Sequence, residues 1–385
     1  MLEVTGNPVL TGFTAPKIVW MRRHEPELFA RMAHILLPKD YVRYRLTGEF
    51  ATYVADASGT SLFDVRRRTW APQMLEALEI PPPWLPRVAE SPAISGAITA
   101  EAAADTGLAQ GIPVASGAGD QAAQAVGTGI VRSGIVSVTI GTSGVVFAHL
   151  DAVRVDPLGR THTFCHAVPG RWHVMGVMLS AGGSLRWLRD SLPSEAWFHG
   201  TADPYDLMAA EAATVPAGSE GLVFLPYLSG ERTPHADPHA RGAFIGLTLR
   251  HKRPHLIRAV MEGVAMGLRD SMEILRAMRV PVTQVRASGG GARSPLWRQI
   301  LADVFAVELV SVTTTAGAAH GAALLAGVGC GAFASVEAAC DAVVAVRDST
   351  IPDPANARIY ERLYGLYTAA YPNLRSAMHT LSTLA

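Results

Sequence analysis

The chain is predicted to be an α/β protein, and three observations point there. Strand and helix alternate between residues 284 and 328, with strands over 284–287 and 308–312 and helices over 295–305 and 316–328. That alternation is the mark of an α/β domain. Three glycine-rich turns each close an expected strand: Gly117-Ala118-Gly119-Asp120, Ile140-Gly141-Thr142-Ser143-Gly144 and Ser288-Gly289-Gly290-Gly291. A long helix is expected over 254–278, where Leu256, Val260, Val264, Leu268, Met272 and Leu275 recur at helical spacing in one apolar stripe.

Taken in order, the first 110 residues read as helices and loops. A short helix is expected over 17–23, with Pro16 at its start. Another spans 40–46, with Asp40 as N-cap and Gly48 just past its end. The amphipathic stretch 70–78 stops at Pro81-Pro82-Pro83. Few strand signals precede 112–116, so these helices carry apolar faces with no neighbouring sheet to cover them. Residues 135–140 and 145–148 flank the Gly-Thr-Ser-Gly turn as a β-hairpin. Residues 161–167 and 171–177 form a second hairpin, turning at Pro169-Gly170. Ser180 is placed to cap a helix bearing Leu185, Leu188 and Leu192, and 221–225 is a short strand before the loop 226–238. Gly263 and Gly267 leave room on the long helix for a close neighbour. The tail over 356–381 is helical, with a break expected at Pro372.

Composition excludes several classes of function. The 385 residues carry 33 basic and 33 acidic side chains, so no net charge draws the chain to nucleic acid or to an anionic membrane. No apolar run reaches the ~18–20 residues of a transmembrane helix. The opening Met-Leu-Glu-Val-Thr-Gly has neither the basic nor the apolar region of a signal peptide. Cys165, Cys330 and Cys340 are too few and too scattered for a disulfide framework or a zinc site, and read as small buried residues. A cytoplasmic location is expected.

The turns suggest phosphoryl transfer. Glycine lets backbone amides approach an anion, and amides near a helix N-terminus favour phosphate. Asp120 opens a helical sequence, either as its N-cap or as a general base taking the proton of an attacking hydroxyl. Gly141, Thr142, Ser143 and Gly144 are either an ordinary hairpin tip or a phosphate cradle. Gly289, Gly290 and Gly291, followed by Ser294-Pro295, offer nucleotide contact or tight packing. There is no Walker A motif, no complete GxGxxG, no GxSxG and no HExxH. A Rossmann dehydrogenase therefore fails on motif spacing. The loop Glu231-Arg-Thr-Pro-His235 reads as a solvated connection or as structural support. Lys17 and Trp20 read as a snorkelling lysine and a core tryptophan.

Two longer segments carry a resemblance. Gly12-Phe-Thr-Ala-Pro-Lys-Ile-Val-Trp-Met-Arg-Arg-His24 and Gly242-Ala-Phe-Ile-Gly-Leu247 with His255-Leu-Ile-Arg-Ala-Val-Met-Glu262 resemble the two signatures of the FGGY carbohydrate kinases. Leu37-Pro-Lys-Asp-Tyr41 and Phe224-Leu-Pro-Tyr-Leu-Ser-Gly-Glu-Arg-Thr-Pro-His235 are most similar to the xylulokinases among them. The resemblance spans essentially the whole chain. It implies a two-lobed actin-like (ribonuclease H-like) ATPase fold with a cleft between the lobes. The sugar-binding N-terminal lobe would be residues 1–132 and the nucleotide-binding lobe 133–385. The implied reaction is ATP- and Mg²⁺-dependent phosphorylation of a sugar hydroxyl, foremost D-xylulose to D-xylulose 5-phosphate, or of another pentulose or polyol.

Residue by residue, the resemblance makes Asp120 the catalytic base and, with Gln121, a sugar contact. Gly141, Thr142 and Ser143 become the second phosphate turn, and Gly289, Gly290 and Gly291 the adenosine segment. The departures from the family pattern are specific. The usual first strand with its Asp-x-Gly-Thr turn and the early His-Gly pair are absent, so the first lobe is expected to be incomplete at its N-terminus. A nucleotide-binding fragment or split subunit inactive alone is the alternative expectation, and exposed helix faces over 14–80 would favour association, for instance as a homodimer. Gln121 stands where xylulokinases often have Asn, and Ala316 where relatives commonly have Glu before Gly317.

Overall fold

The Gly-Thr-Ser-Gly turn reverses the chain between two paired strands. The computed structural model describes residues 1–194, 197, 201–314 and 317–384. The strands of its large sheet, numbered along the chain, are β1 (Gly134–Ile140), β2 (Gly144–Leu150), β3 (His162–Cys165), β4 (Trp172–Met178), β5 (Val282–Ser288), β6 (Leu309–Val312) and β7 (Val346–Thr350). Two compact units arise, each from separated stretches. The first gathers Met1–Ser133, His149–Val174 and Val312–Ala345; the second gathers Gly134–Ala148, Met175–Ser311 and Val346–Ala385.

In the second unit the strand order is β7-β6-β5-β1-β2-β4. The first hairpin forms as expected: β1 and β2 are antiparallel, with Val138 opposite Val146 and Ile140 opposite Gly144. β5 lies parallel to both β1 and β6, as strands joined through helices must. The 25-residue helix Arg253–Ala277 is buried around its whole girth from Ile257 to Met272, not along one stripe alone. Its glycines account for that. A Cβ on Gly263 would overlap the Phe224 carbonyl, and one on Gly267 would stand 2.7 Å from Met178 Cε. The polar groups this burial traps are paired: Glu262 accepts from Arg258 Nε (2.8 Å), Tyr360 Oη (2.7 Å), Ser219 Oγ (2.8 Å) and the Gly218 amide (2.9 Å).

The expected break at Pro372 does not occur. One helix runs from Pro354 to Ser382 through the proline. Contacts on both sides of it hold the axis: Tyr371 Oη donates to Asp237 Oδ2 at 2.5 Å, and His379 Nε2 lies 2.7 Å from the same oxygen. Tyr360, Tyr367 and Met378 are buried along this helix. Tertiary packing thus outweighs the single backbone bond that proline removes.

The first unit is less poor in strands than its sequence suggests. Five short strands lie before residue 98: Ala51–Tyr53, Phe63–Asp64, Thr69–Trp70, Arg87–Ala89 and Ile94–Ala97. They are too short for a period-2 signal. Nor are the early helices without a core, since Ala15 and Ile18 of the Thr14–His24 helix pack with Leu62, Leu75 and Ile80. Trp20 is a correction: it is 56% exposed and stacks on His24 rather than entering that core. Lys17 Nζ reaches the Gly12 carbonyl at 2.9 Å.

Several caps differ from expectation. The Pro38–Thr47 helix begins two residues before Asp40, which is fully buried in its first turn, while Gly48 takes the left-handed C-cap. Ala181, not Ser180, precedes the Gly182–Ser191 helix. The second expected hairpin forms, as β3 and β4. The helix expected from Ala316 is described from Gly317 to Gly329, Ala316 itself lying outside the described residues. Cys165 and Cys340 are buried as expected; Cys330 is exposed, at the end of that helix. Among the described residues no helix is long and apolar enough to cross a membrane.

Candidate active site

In the first unit, the strand Pro113–Ala115 delivers the chain into the Gly117–Asp120 turn, and the helix Asp120–Gly127 follows at once. The N-cap of that helix is Gly119, without a side-chain cap; Asp120 is the first helical residue. The capping role for Asp120 is thereby excluded. Its exposed carboxylate accepts the neighbouring Gln121 amide, at 2.7 Å from Oδ1. An exposed carboxylate on the first turn sits in the favourable field of the helix N-terminus. Gln121 is half-buried beside it.

The helix is held by unusually close packing. A Cβ on Gly321 would overlap the Ala123 carbonyl, and one on Gly127 would overlap the Gly317 carbonyl. Thr314 Oγ1 donates to the Gly127 carbonyl at 2.8 Å. Four histidines, His149, His162, His166 and His173, are buried elsewhere in this unit. His166 and His173 meet edge to face at 5.6 Å between ring centroids. Burial and neighbouring histidines push the His173 imidazole down to about 3 and hold His166 well below the usual range.

In the second unit the other two glycine turns converge. The Gly141 amide donates to the Ser143 carbonyl (2.9 Å), closing the hairpin tip. The tip then meets the start of the Gly182–Ser191 helix, where the Gly182 amide donates to Gly141 O (2.8 Å) and Gly183 to Thr142 O (3.0 Å). Gly289 has φ +85°, and a Cβ there would stand 2.5 Å from the Ile140 carbonyl oxygen. Its glycine is required twice over, by conformation and by space. The packing reading and the ligand reading of the triple glycine therefore coexist.

One cavity of about 490 Å³ lies elsewhere, between the Gly218 turn and the last helix, but the turns line a larger one of about 630 Å³. Gly141, Thr142, Gly290 and Gly291 are on the wall of the larger cavity; Ser143 and Gly289 are not, and serve the turns instead. Sequence reasoning missed the polar side chains there: Arg186, whose Nη2 donates to Thr142 Oγ1 at 2.6 Å, Arg293 and Tyr205, and the carboxylates Asp203 and Asp206 at the same wall. Arg186 had a signal, since it lies four residues beyond Gly182 and so projects from the same first turns. Glycine amides, two guanidinium groups and this volume suit a polyanionic nucleotide. Among the described residues no group of three acidic, histidine or cysteine side chains is set to hold a metal ion.

The Glu231–His235 loop is no solvated connection. Glu231 and Thr233 are buried: Glu231 Oε1 accepts the Leu179 amide (2.9 Å), and Thr233 Oγ1 the Val177 amide (3.0 Å). Burial pushes the Glu231 carboxyl up to about 8 and that of Asp270 to about 7.

Comparison with known proteins decides the family. Residues 1–127 match the N-terminal domain, and residues 136–330 the C-terminal domain, of the FGGY family of carbohydrate kinases. The chain belongs to that family. It is 38% identical over 383 residues to a xylulose kinase of Lactococcus lactis, covering 99% of this chain and 75% of the relative. It is 45% identical over 324 residues to the Escherichia coli xylulose kinase, covering 84% of this chain and 65% of the relative. The crystal structure of xylulose kinase from Rhodospirillum rubrum matches with a TM-score of 0.90 at 36% identity, over 98% of this chain and 75% of that one. This FGGY kinase thus has the actin-like ATPase fold and is an ATP-using phosphotransferase with an alcohol acceptor.

Proposed function

We propose that this kinase transfers the γ-phosphoryl group of ATP to D-xylulose, yielding D-xylulose 5-phosphate. The observation that carries the substrate is the match to xylulose kinases along 99% of the chain. Asp120 takes the proton of the attacking sugar hydroxyl; its carboxylate is exposed and accepts its neighbour's amide. Gln121 offers an amide to a second hydroxyl. Gly141 and Thr142 wall the phosphate site, with the Thr142 backbone amide facing the phosphates and the Gly141 amide, bonded to the Ser143 carbonyl, keeping the tip closed. Gly290 and Gly291 line the adenosine side, and Gly289 supplies the turn that brings them there. Magnesium, when bound, neutralises charge on the transferring phosphates. Residues 1–132 carry the sugar side of this reading and 133–385 the nucleotide side.

The test is ADP release by the purified chain with D-xylulose, other pentuloses and polyols. We expect D-xylulose to give the highest kcat/KM. Equal or faster turnover of another sugar would replace the substrate assignment.

A further inference from the structure

Beneath the turn that bears Asp120, the first unit buries charged groups that the reaction does not consume. Lys39 Nζ lies 2.7 Å from Asp40 Oδ1, 3.6 Å from Asp56 Oδ2 and 3.3 Å from the centroid of the Tyr53 ring. Tyr53 Oη donates to Asp56 Oδ2 at 2.9 Å. Both partners thus hold the same Asp56 oxygen, and Oδ1 is left facing the turn: a Cβ on Gly119 would overlap it. A Cβ on Gly117 would stand 3.6 Å from Tyr53 Cε1, and Arg43 Nη1 donates to the Ser116 carbonyl at 2.7 Å. Three successive points of the turn therefore rest on one cluster.

Gly119 itself shows what the contact is for. Its φ of −61° and ψ of 157° are open to any residue. Glycine is needed there for space, and the space is taken by Asp56. We propose that Asp56 is a positioning residue for Asp120: its carboxylate, oriented by Tyr53 and Lys39, seats the Gly117–Asp120 turn and so sets where the base meets a sugar hydroxyl. This rests on the reading of Asp120 as the base. A misplacement of about 1 Å costs on the order of 100-fold in rate, so a shifted turn is visible in turnover long before the fold fails.

A double-mutant cycle tests it, with kcat, both KM values and unfolding free energy measured for each variant. Asp56→Ala is expected to lower kcat roughly 10- to 100-fold with the ATP KM unchanged. Asp56→Asn, which keeps the shape, should recover most of that loss. Gly119→Ala should be harmful alone but much less so on the Asp56→Ala background, where the added methyl enters vacated space. Wild-type kcat in Asp56→Ala, or two losses that simply multiply, overturns the proposal. A drop in stability with kcat unmoved likewise assigns Asp56 a structural role only. Should the unsubstituted chain phosphorylate no sugar, the kinase reading is what fails. The coupling of the two substitutions in unfolding free energy then still decides whether Asp56 seats the turn.

Discussion

Glycine serves different neighbours in the turns of the two units. In the Gly117–Asp120 turn of the first unit, Gly119 makes room for a side chain, the Asp56 carboxylate, while Gly117 is required by its φ of +90°. In the nucleotide turns of the second, Gly182, Gly183 and Gly289 make room for backbone, the carbonyls of Gly141, Thr142 and Ile140. A side chain can swing away from an intruding methyl and a carbonyl in a sheet cannot. The turn proposed to aim a proton acceptor is thus adjustable by mutation elsewhere. The turns proposed to face phosphate are built without that freedom.

The largest expected effect tests the first half of this contrast. Asp120→Asn should cut kcat by about 100- to 10,000-fold, the usual contribution of a general base, while calorimetry shows unchanged ATP affinity. Turnover within a few fold of wild type would remove Asp120 from the chemistry. Gly289→Ala comes next. It places a methyl at positive φ against a fixed carbonyl, and should cost more than about 2 kcal/mol in chemical unfolding. A near-neutral result would mean that the backbone there yields, breaking the contrast. Thr142→Val removes the acceptor of Arg186 and should weaken ATP by about 1 kcal/mol, close to fivefold, with the sugar KM unmoved.

The smallest and broadest test is pH, because two buried pairs, one in each unit, respond in opposite directions. His166 and His173 are held neutral in the first unit, below their value in the unfolded chain. The unfolded state then binds protons that the folded state refuses, so stability falls as pH drops from about 6.5 towards 3. In the second unit Glu231 and Asp270 are raised to about 8 and 7. Their contribution is present at low pH and is lost as pH climbs through those values. Hydrogen exchange resolved by unit should show the first loosening as pH falls below about 6 and the second loosening as pH climbs from about 4 to 8, with no further loss from these carboxyls beyond. Replacing His173 by Phe should flatten the acid slope by about one proton.

What was legible in the sequence were features confined to a few consecutive residues. The three turns, the β1–β2 hairpin, the Pro295–Phe305 helix and the long helix ahead of β5 all declare themselves locally, through glycine, proline or a repeated apolar spacing. The family signatures added roles to those turns. What escaped was set by partners distant in the chain. Asp40 reads as a cap in the sequence, whereas in the structure it is buried against Arg43, whose guanidinium is anchored on the Ser116 carbonyl 73 positions away. Glu231 looked solvated because the Leu179 amide it accepts is 52 positions away. Pro372 looked like a break because Asp237, which grips the helix on both sides of it, lies far upstream.

The seam between the helices Asp120–Gly127 and Gly317–Gly329 has a mechanical consequence. Where carbonyl meets glycine with no side chain between, there is no rotamer to change and little void to compress. Hydrostatic pressure, which acts by eliminating internal voids, finds little purchase on that seam. The Asp120–Gly127 helix thus takes its alignment from a segment nearly two hundred residues further along the chain.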